Sequence, residues 1–396
     1  GGQAAFTTNR TIADPNLKNE RTRATEVGLD ARLAKGRYRI DFTYYNMLSF
    51  NQVIRLPIAK TSGYDFNLTN GGEIRNSGLE LMLAARVIDN NDFSWDVTLN
   101  AGRNRAIVES LPDVIQSGRY SIVADVFPGD EGGADLEYVA EEGKLLGQLY
   151  GLGFQRGPDG RVIHENGLPL LTEEKVSAGS YQPDLRLGIN NSFQYKRLNF
   201  SFLFDGQIGG RIYNRSHALY NTSGAIKNNN DPNLSLSSMK GRTVYSVSYD
   251  ANGEPVYTLE QEGGVVGPGW KYDGEGNLVE NDVVVPIGGA NYTGYFYNFY
   301  GNGFNRDNIE AATHDATYFK LRELKIGYDL PTDLIKNLGL SSARVSLIGR
   351  NLLLFSKVPT IDPETYSIRN GIFVNGFEST QLPSTRSYGV NINLSF

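Results

Sequence analysis

The sequence predicts an all-β protein, a transmembrane antiparallel β-barrel, on three observations. Segment after segment alternates apolar and polar residues, the period of two that belongs to strands. The alternating segments join in pairs through very short turns, while long stretches separate one pair from the next, which is how a membrane barrel distributes its loops. No run of 18 apolar residues occurs, so no transmembrane helix is expected, and that absence leaves barrels untouched.

In chain order the expected strands are 22–33, 37–50, 74–88, 93–109, 185–196, 198–213, 316–330, 343–355 and 386–396. Val27, Leu29, Ala31 and Leu33 face one way and Glu26, Gly28, Asp30 and Arg32 the other. Phe93, Trp95, Val97, Leu99 and Ala101 repeat the pattern against Ser94, Asp96, Thr98, Asn100 and Gly102. So do Tyr388, Val390, Ile392, Leu394 and Phe396 against Gly389, Asn391, Asn393 and Ser395. Ala34-Lys35-Gly36, Asp89 to Asp92 and Lys196-Arg197 are the tight turns, and Pro331 to Ser342 is a compact one. The long segments 51–73, 110–184, 214–315 and 356–385 are expected outside the cell. Lys144 to Gln155 also alternates, but parity places it inside the 110–184 excursion. With short turns periplasmic, nine strands put residues 1–21 outside the cell and leave two unpaired edges, which lipid does not tolerate. The expectation is therefore that the chain is the C-terminal part of one barrel domain, with the plug and the first strands absent from it.

Composition closes other routes. The 396 residues hold 38 Lys plus Arg against 44 Asp plus Glu, a formal charge of −6 with no basic stripe, so a nucleic-acid partner is not expected. There is no cysteine, hence no disulfide, thiol nucleophile or Cys-ligated metal. His164, His217 and His314 stand far apart in sequence without a second ligand at zinc spacing, and read as loop or surface histidines rather than metal ligands. Asp273 to Asn277 has the look of a calcium loop but places Leu278 where an EF-hand requires glycine, and reads as a turn. Gly157 to Arg161 and Asp250 to Glu254 read as turns as well. The 45 glycines form no phosphate-binding P-loop, and no cofactor is expected. No nucleophile, base and orienter stand together, so the chain does not read as an enzyme.

Longer runs of residues carry a resemblance. Asp14-Pro15-Asn16-Leu17-Lys18-Asn19-Glu20-Arg21-Thr22 with Glu26-Val27-Gly28-Leu29-Asp30, Tyr44-Tyr45-Asn46, Asn70 to Leu81, Phe93-Ser94-Trp95 and Phe202 to Gly210 are similar in order to motifs of SusC-like (SusC/RagA) TonB-dependent outer-membrane transporters. Tyr318 to Tyr328, Ile348 to Leu353, Asp362-Pro363-Glu364 and Pro383 to Tyr388 continue the likeness to the last residues. The resemblance implies nine strands of a 22-stranded, plugged barrel. It implies TonB-powered import of a large nutrient, an oligosaccharide or an oligopeptide, beneath a SusD-like surface lipoprotein, with the TonB system engaged through the missing plug region. A second reading of the same barrel is a non-transporting scaffold in a larger outer-membrane assembly. A soluble β-rich adhesin, with its apolar faces inside, is the third.

Within that frame Tyr292, Tyr295, Phe296, Tyr297, Phe299 and Tyr300 are the expected contacts for cargo or lid, because flat aromatic faces suit sugar rings and apolar side chains. Tyr388, Ile392, Leu394 and Phe396 resemble the signal read by the barrel-assembly machinery. Glu26, Asp30, Arg32, Glu80, Arg86, Asp96, Glu323, Lys325 and Asp329 are expected to line the lumen, where such groups mostly solvate a wet wall and pair with neighbours.

Overall fold

The computed structural model describes residues 10–123, 126, 136–222, 239–240, 244–261, 264–286, 308–369 and 371–396. Its dominant element is one nine-stranded sheet. The strands are β1 (Arg21–Leu33), β2 (Tyr38–Phe50), β3 (Glu73–Asp89), β4 (Phe93–Ser110), β5 (Leu185–Tyr195), β6 (Leu198–Ile208), β7 (Tyr318–Asp329), β8 (Ser342–Ser356) and β9 (Ser387–Ser395). They lie side by side in chain order, every neighbour antiparallel, with β1 and β9 at the two edges. The turns at one end are as short as expected. Ala34, Lys35 and Gly36 take φ of 49°, 59° and 85°, and Lys196 takes 51°, so both hairpins close in the left-handed region that suits the strand twist. Pro331 to Ser342 folds into a helical turn, Thr332–Ile335, followed by Lys336–Leu338.

Register keeps each face of one character. Val27 pairs with Tyr44, Tyr44 with Leu79, and, across the sheet, Leu347 with Val390 and Val345 with Ile392. The apolar residues form continuous rows because a one-residue slip would send each to the other side. None of the described residues covers them: Leu29, Leu347 and Ile392 are 56%, 60% and 60% exposed. A sandwich would have buried this face, so the adhesin reading fails on packing. In water each such residue would forfeit roughly 1.5–3 kcal/mol of burial. On this face the Asn191 amide accepts a 3.0 Å hydrogen bond from the Trp95 indole N–H, and the Trp95 and Phe193 rings stack with centroids 5.7 Å apart. A polar group on a lipid-facing surface needs such a partner.

The expected strand 198–213 is corrected. β6 stops at Ile208 because Gly209 and Gly210, with φ of 79° and 80°, turn the chain away. Arg211–Asn214 then joins a separate sheet between Thr313–Asp315 and Phe377–Glu378. Gln148–Phe154 lies inside the excursion, as parity required, in a four-stranded sheet with Arg119–Val123, Glu137–Glu141 and Leu171–Ser180. The main buried cluster therefore sits in the loops and not on the wall: Leu136, Tyr138, Leu149, Tyr213, Ile309 and Phe377 pack there.

The three histidines lie in the loop segments, as expected, but His164 and His217 are buried there rather than at the surface. His164 is 1% exposed in the small sheet of Ile163–Glu165 and Trp270–Tyr272, and burial pushes its imidazole pKa down. His217 is 9% exposed, and its ring meets that of His314 edge-on at 5.2 Å, because the loops bring together segments that lie far apart in sequence. The turn readings of Gly157 to Arg161, Asp250 to Glu254 and Asp273 to Asn277 stand, closed by backbone bonds and by the Asp250 and Asp273 carboxylates.

On the wet face the Tyr45 ring crosses the flat backbone of Gly78 to donate a 2.8 Å hydrogen bond to Asn104, joining β2 to β4 over β3. A Cβ at Gly78 would stand 2.4 Å from the Tyr45 oxygen and 2.5 Å from the Arg103 carbonyl. Gly78→Val should destabilise the protein by about 1–3 kcal/mol, read as a lower urea midpoint for detergent-solubilised full-length protein. Gly102→Ala, with nothing within 4 Å of its Cβ, should leave that midpoint in place.

Candidate functional site

The wet face carries the charges that alternation assigned to it. Glu26 pairs with Tyr45, Asp30 with Asp41, Arg86 with Asp96, and Asp329 with Arg344. Most of these groups are neutralised locally: Arg39 bonds Asp30 at 3.0 Å, Arg86 bonds Asp96 at 2.9 Å, Arg350 bonds Glu323 at 3.0 Å, and Arg344 bonds Asp329 at 2.5 Å. Lower on the wall the face is thus a set of solvated pairs.

Nearer the loops the same face becomes concave. The row Glu80, Gly102, Arg186, Gln207 and Tyr318 crosses five strands in register. The glycine leaves a trough, and the segment after β8 folds over its upper end. The resulting cavity is about 730 Å³, lined by Glu80, Arg186, Asp205, Gln207, Tyr318 and Glu364, with Tyr181 and Tyr366 above. It offers carboxylates, guanidiniums, amides and tyrosines to a polar, flat or zwitterionic ligand. A second concavity, of about 1060 Å³, lies beside the four-stranded loop sheet and is lined by Val53, Leu56, Phe66, Ile115 and Ile122. Among the described residues no group of three or more His, Asp or Glu side chains is arranged to hold a metal ion.

A charge network fastens the roof to the wall. Lys320 of β7 is 2% exposed and meets Asp362 at 2.7 Å and Glu364. Arg322, at a bulge in β7, grips Glu364 through two nitrogens at 2.6 and 2.8 Å and Asp205 of β6 at 2.5 Å. The Tyr318 hydroxyl donates to Glu364 at 2.9 Å. Further along, Glu378, fully buried, accepts from the Ser216 N–H and hydroxyl, both at 2.8 Å, and so ties the same loop to the helix Arg215–Thr222. Sequence reasoning missed Lys320, Arg322, Asp205 and Arg186 as site residues. A signal was present: two cations at the loop end of an otherwise alternating strand, and Asp362-Pro363-Glu364 in a loop that could reach them.

The expected aromatic contacts Tyr292, Tyr295, Phe296, Tyr297, Phe299 and Tyr300 lie outside the described residues. Tyr388, Ile392, Leu394 and Phe396 all project from the apolar face of β9 or the residue after it, Tyr388 at 78% and Phe396 at 89% exposure.

Burial raises the Glu364 carboxyl pKa, but hydrogen bonds from Arg322, Lys320 and Tyr318 outweigh it and hold the group at about 2, against an ordinary 4.5. A depressed folded-state pKa means stability that is complete above 4.5 and lost as pH falls toward 2. Protection of residues 357–386 from pepsin should therefore weaken as pH falls from 4.5 to 2, and Glu364→Gln should flatten that dependence. Lys320→Met strands buried carboxylates and should cost about 3–5 kcal/mol, seen as cleavage of the same loop at neutral pH by a broad-specificity protease.

Residues 1–140 match the family model described as TonB dependent receptor-like, beta-barrel. TonB-dependent receptor P3 of Formosa agariphila is 25% identical over 97% of this chain and 35% of its own length; receptor P26 of the same organism is 26% identical over 97% and 35%. TonB-dependent receptor SusC of Bacteroides thetaiotaomicron is 24% identical over 59% of this chain and 24% of its own. The solved RagAB peptide transporter superposes with a TM-score of 0.59 at 18% identity, covering 95% of this chain and 35% of that one, and the RagAB peptide importer in its open-open state with 0.60 at 17%, covering 97% and 35%. The chain thus spans about a third of the length of the Formosa receptors and of the RagAB chains, and its match spans about a quarter of SusC. With the two-faced nine-stranded wall and its loop-roofed concavity, these matches make the chain similar to the barrels of TonB-dependent receptors, SusC and RagA among them, with residues 1–140 matching that barrel family directly.

Proposed function

We propose that this chain forms the C-terminal part of the wall of an outer-membrane importer that is driven by the TonB system and takes up a large nutrient. One observation carries the reading: a single sheet has an uncovered apolar face and a charged face that becomes a 730 Å³ concavity beneath ordered loops. Such a wall stands between lipid and a wet passage. The plug and the remaining strands belong to the rest of the barrel domain, and the TonB system acts through that plug.

Cargo is an oligosaccharide or an oligopeptide, and the mixed charges and tyrosines of the concavity suit either. A SusD-like lipoprotein closes over the loops from outside, and Tyr292, Tyr295, Phe296, Tyr297, Phe299 and Tyr300 meet cargo or lid. The protein is not an enzyme, and the charges of its concavity serve binding and fastening. On β9, Tyr388, Ile392, Leu394 and Phe396 present an apolar row to the barrel-assembly machinery and then to lipid.

Uptake of the cargo by cells carrying the full-length protein should vanish when TonB is removed; uptake that persists would overturn the import reading. Removing Phe396 should lower the amount of assembled, heat-modifiable barrel in outer membranes several-fold, and unchanged assembly would end its role as a signal.

A further inference from the structure

The apolar face has a feature that neither import nor assembly uses. Outside the bulge at Arg322, strand alternation assigns five cations of the nine strands to this face: Arg21 and Arg23 on β1, Arg75 on β3, and Arg103 and Arg105 on β4. The outward positions of β5, β6, β7, β8 and β9 hold none. The five arginines are also confined in height. Each follows the apolar run of its own strand toward the loops: Val27 and Leu29 lead to Arg23 and Arg21, Leu79 and Leu81 to Arg75, and Leu99 and Ala101 to Arg103 and Arg105. At about 3.4 Å per residue, successive outward positions are about 7 Å apart. The cations thus begin within one or two such steps of the last apolar residue.

The strands carry two carboxylates at the same rim, Glu73 and Glu109, and Glu109 is engaged by Arg75 at 2.6 Å. Five cations against two anions leave +3. Arg21, Arg23, Arg103 and Arg105 are exposed and reach no carboxylate within ion-pair distance among the described residues. Register brings the set together: Arg23 and Arg75 share one row across β2 through Leu48, and Arg105 sits one pair below Arg75 on the adjacent strand, opposite Ser77.

A ligand for this patch must be apolar where it lies on Val27, Leu79 and Ala101, and anionic about 7 to 14 Å higher, with the anion facing away from the membrane centre. Cargo passes on the opposite face of the sheet. Guanidiniums favour phosphate because their donors match its oxygens in pairs. We propose that Arg21, Arg23, Arg103 and Arg105 form a docking site for a phosphorylated, acylated glycolipid of the outer leaflet. Its acyl chains lie along the apolar rows of β1 to β4 and its phosphates reach the arginine rim. The proposal rests on the outer-membrane reading given above.

The test uses the full-length protein, extracted from outer membranes in mild detergent, and the variant carrying Arg21→Gln, Arg23→Gln, Arg103→Gln and Arg105→Gln. Native mass spectrometry should find phosphorylated glycolipid retained on the parent protein and at least fivefold less on the variant, while the wet-face control Arg186→Gln keeps it. In detergent micelles doped with a bisphosphorylated acylated disaccharide, the parent should bind at least tenfold more tightly than in micelles doped with the dephosphorylated form. Equal retention by parent and variant, or competition by inorganic phosphate as strong as by the glycolipid, would overturn the site and leave the barrel reading intact. A parent protein that fractionates away from outer membranes would overturn both.

Discussion

A β-strand hands alternate residues to opposite sides, and everything distinctive in this protein depends on nine strands keeping that alternation in one common register. Apolar rows on one side and pairs such as Arg86 with Asp96 on the other persist across the sheet because no strand slips by a single residue. Bulges absorb the exceptions. Where Leu203 and Phe204 face Glu323 and Leu321, the extra residue Arg322 is turned to the wet side, where it holds Asp205 and Glu364. A departure from regular pairing thus supplies the group that fastens loop to wall.

Stability is divided accordingly. The wall has almost no core of its own: its apolar face is uncovered and its wet face is solvated, so within the chain the backbone ladders are what hold it. The loops are built in the opposite way, around Leu136, Tyr138, Leu149, Tyr213, Ile309 and Phe377, as a small soluble domain would be. Fixing the loops to the wall then falls to a few buried polar contacts, Lys320 with Asp362 and Glu364, and Glu378 with Ser216. Buried charges of this kind fix position more than they add net stability.

The wall was legible in the sequence to within a residue or two because period two is a local signal and β1 to β9 are long enough to display it. The one misplaced strand end, at Ile208, turned on Gly209 and Gly210, which read as ordinary strand glycines until their positive φ was seen. The concavity was not legible. Its residues come from five strands and a loop, and nothing near Lys320 in sequence announces that Asp362 and Glu364, some forty residues on, will close over it. The contact of His217 with His314 was hidden for the same reason: spacing along the chain is silent about their meeting across the loops. Motif resemblance supplied the family, whereas geometry supplied the site.

Nine is an odd number, and in an antiparallel sheet that sends β1 and β9 in the same direction. The two edges cannot zip to each other in the alternating pattern that every other pair uses; a seam between them would have to be parallel, with its slanted bonds. A second copy could satisfy an edge only by turning over, β1 against β1 or β9 against β9, each a two-fold contact. Two copies joined at both edges would close, since nine and nine make an even number, but the loops of one copy would then stand at the rim that carries the short turns of the other. An even number of further strands would preserve the mismatch; only an odd number turns the same wall into a ring.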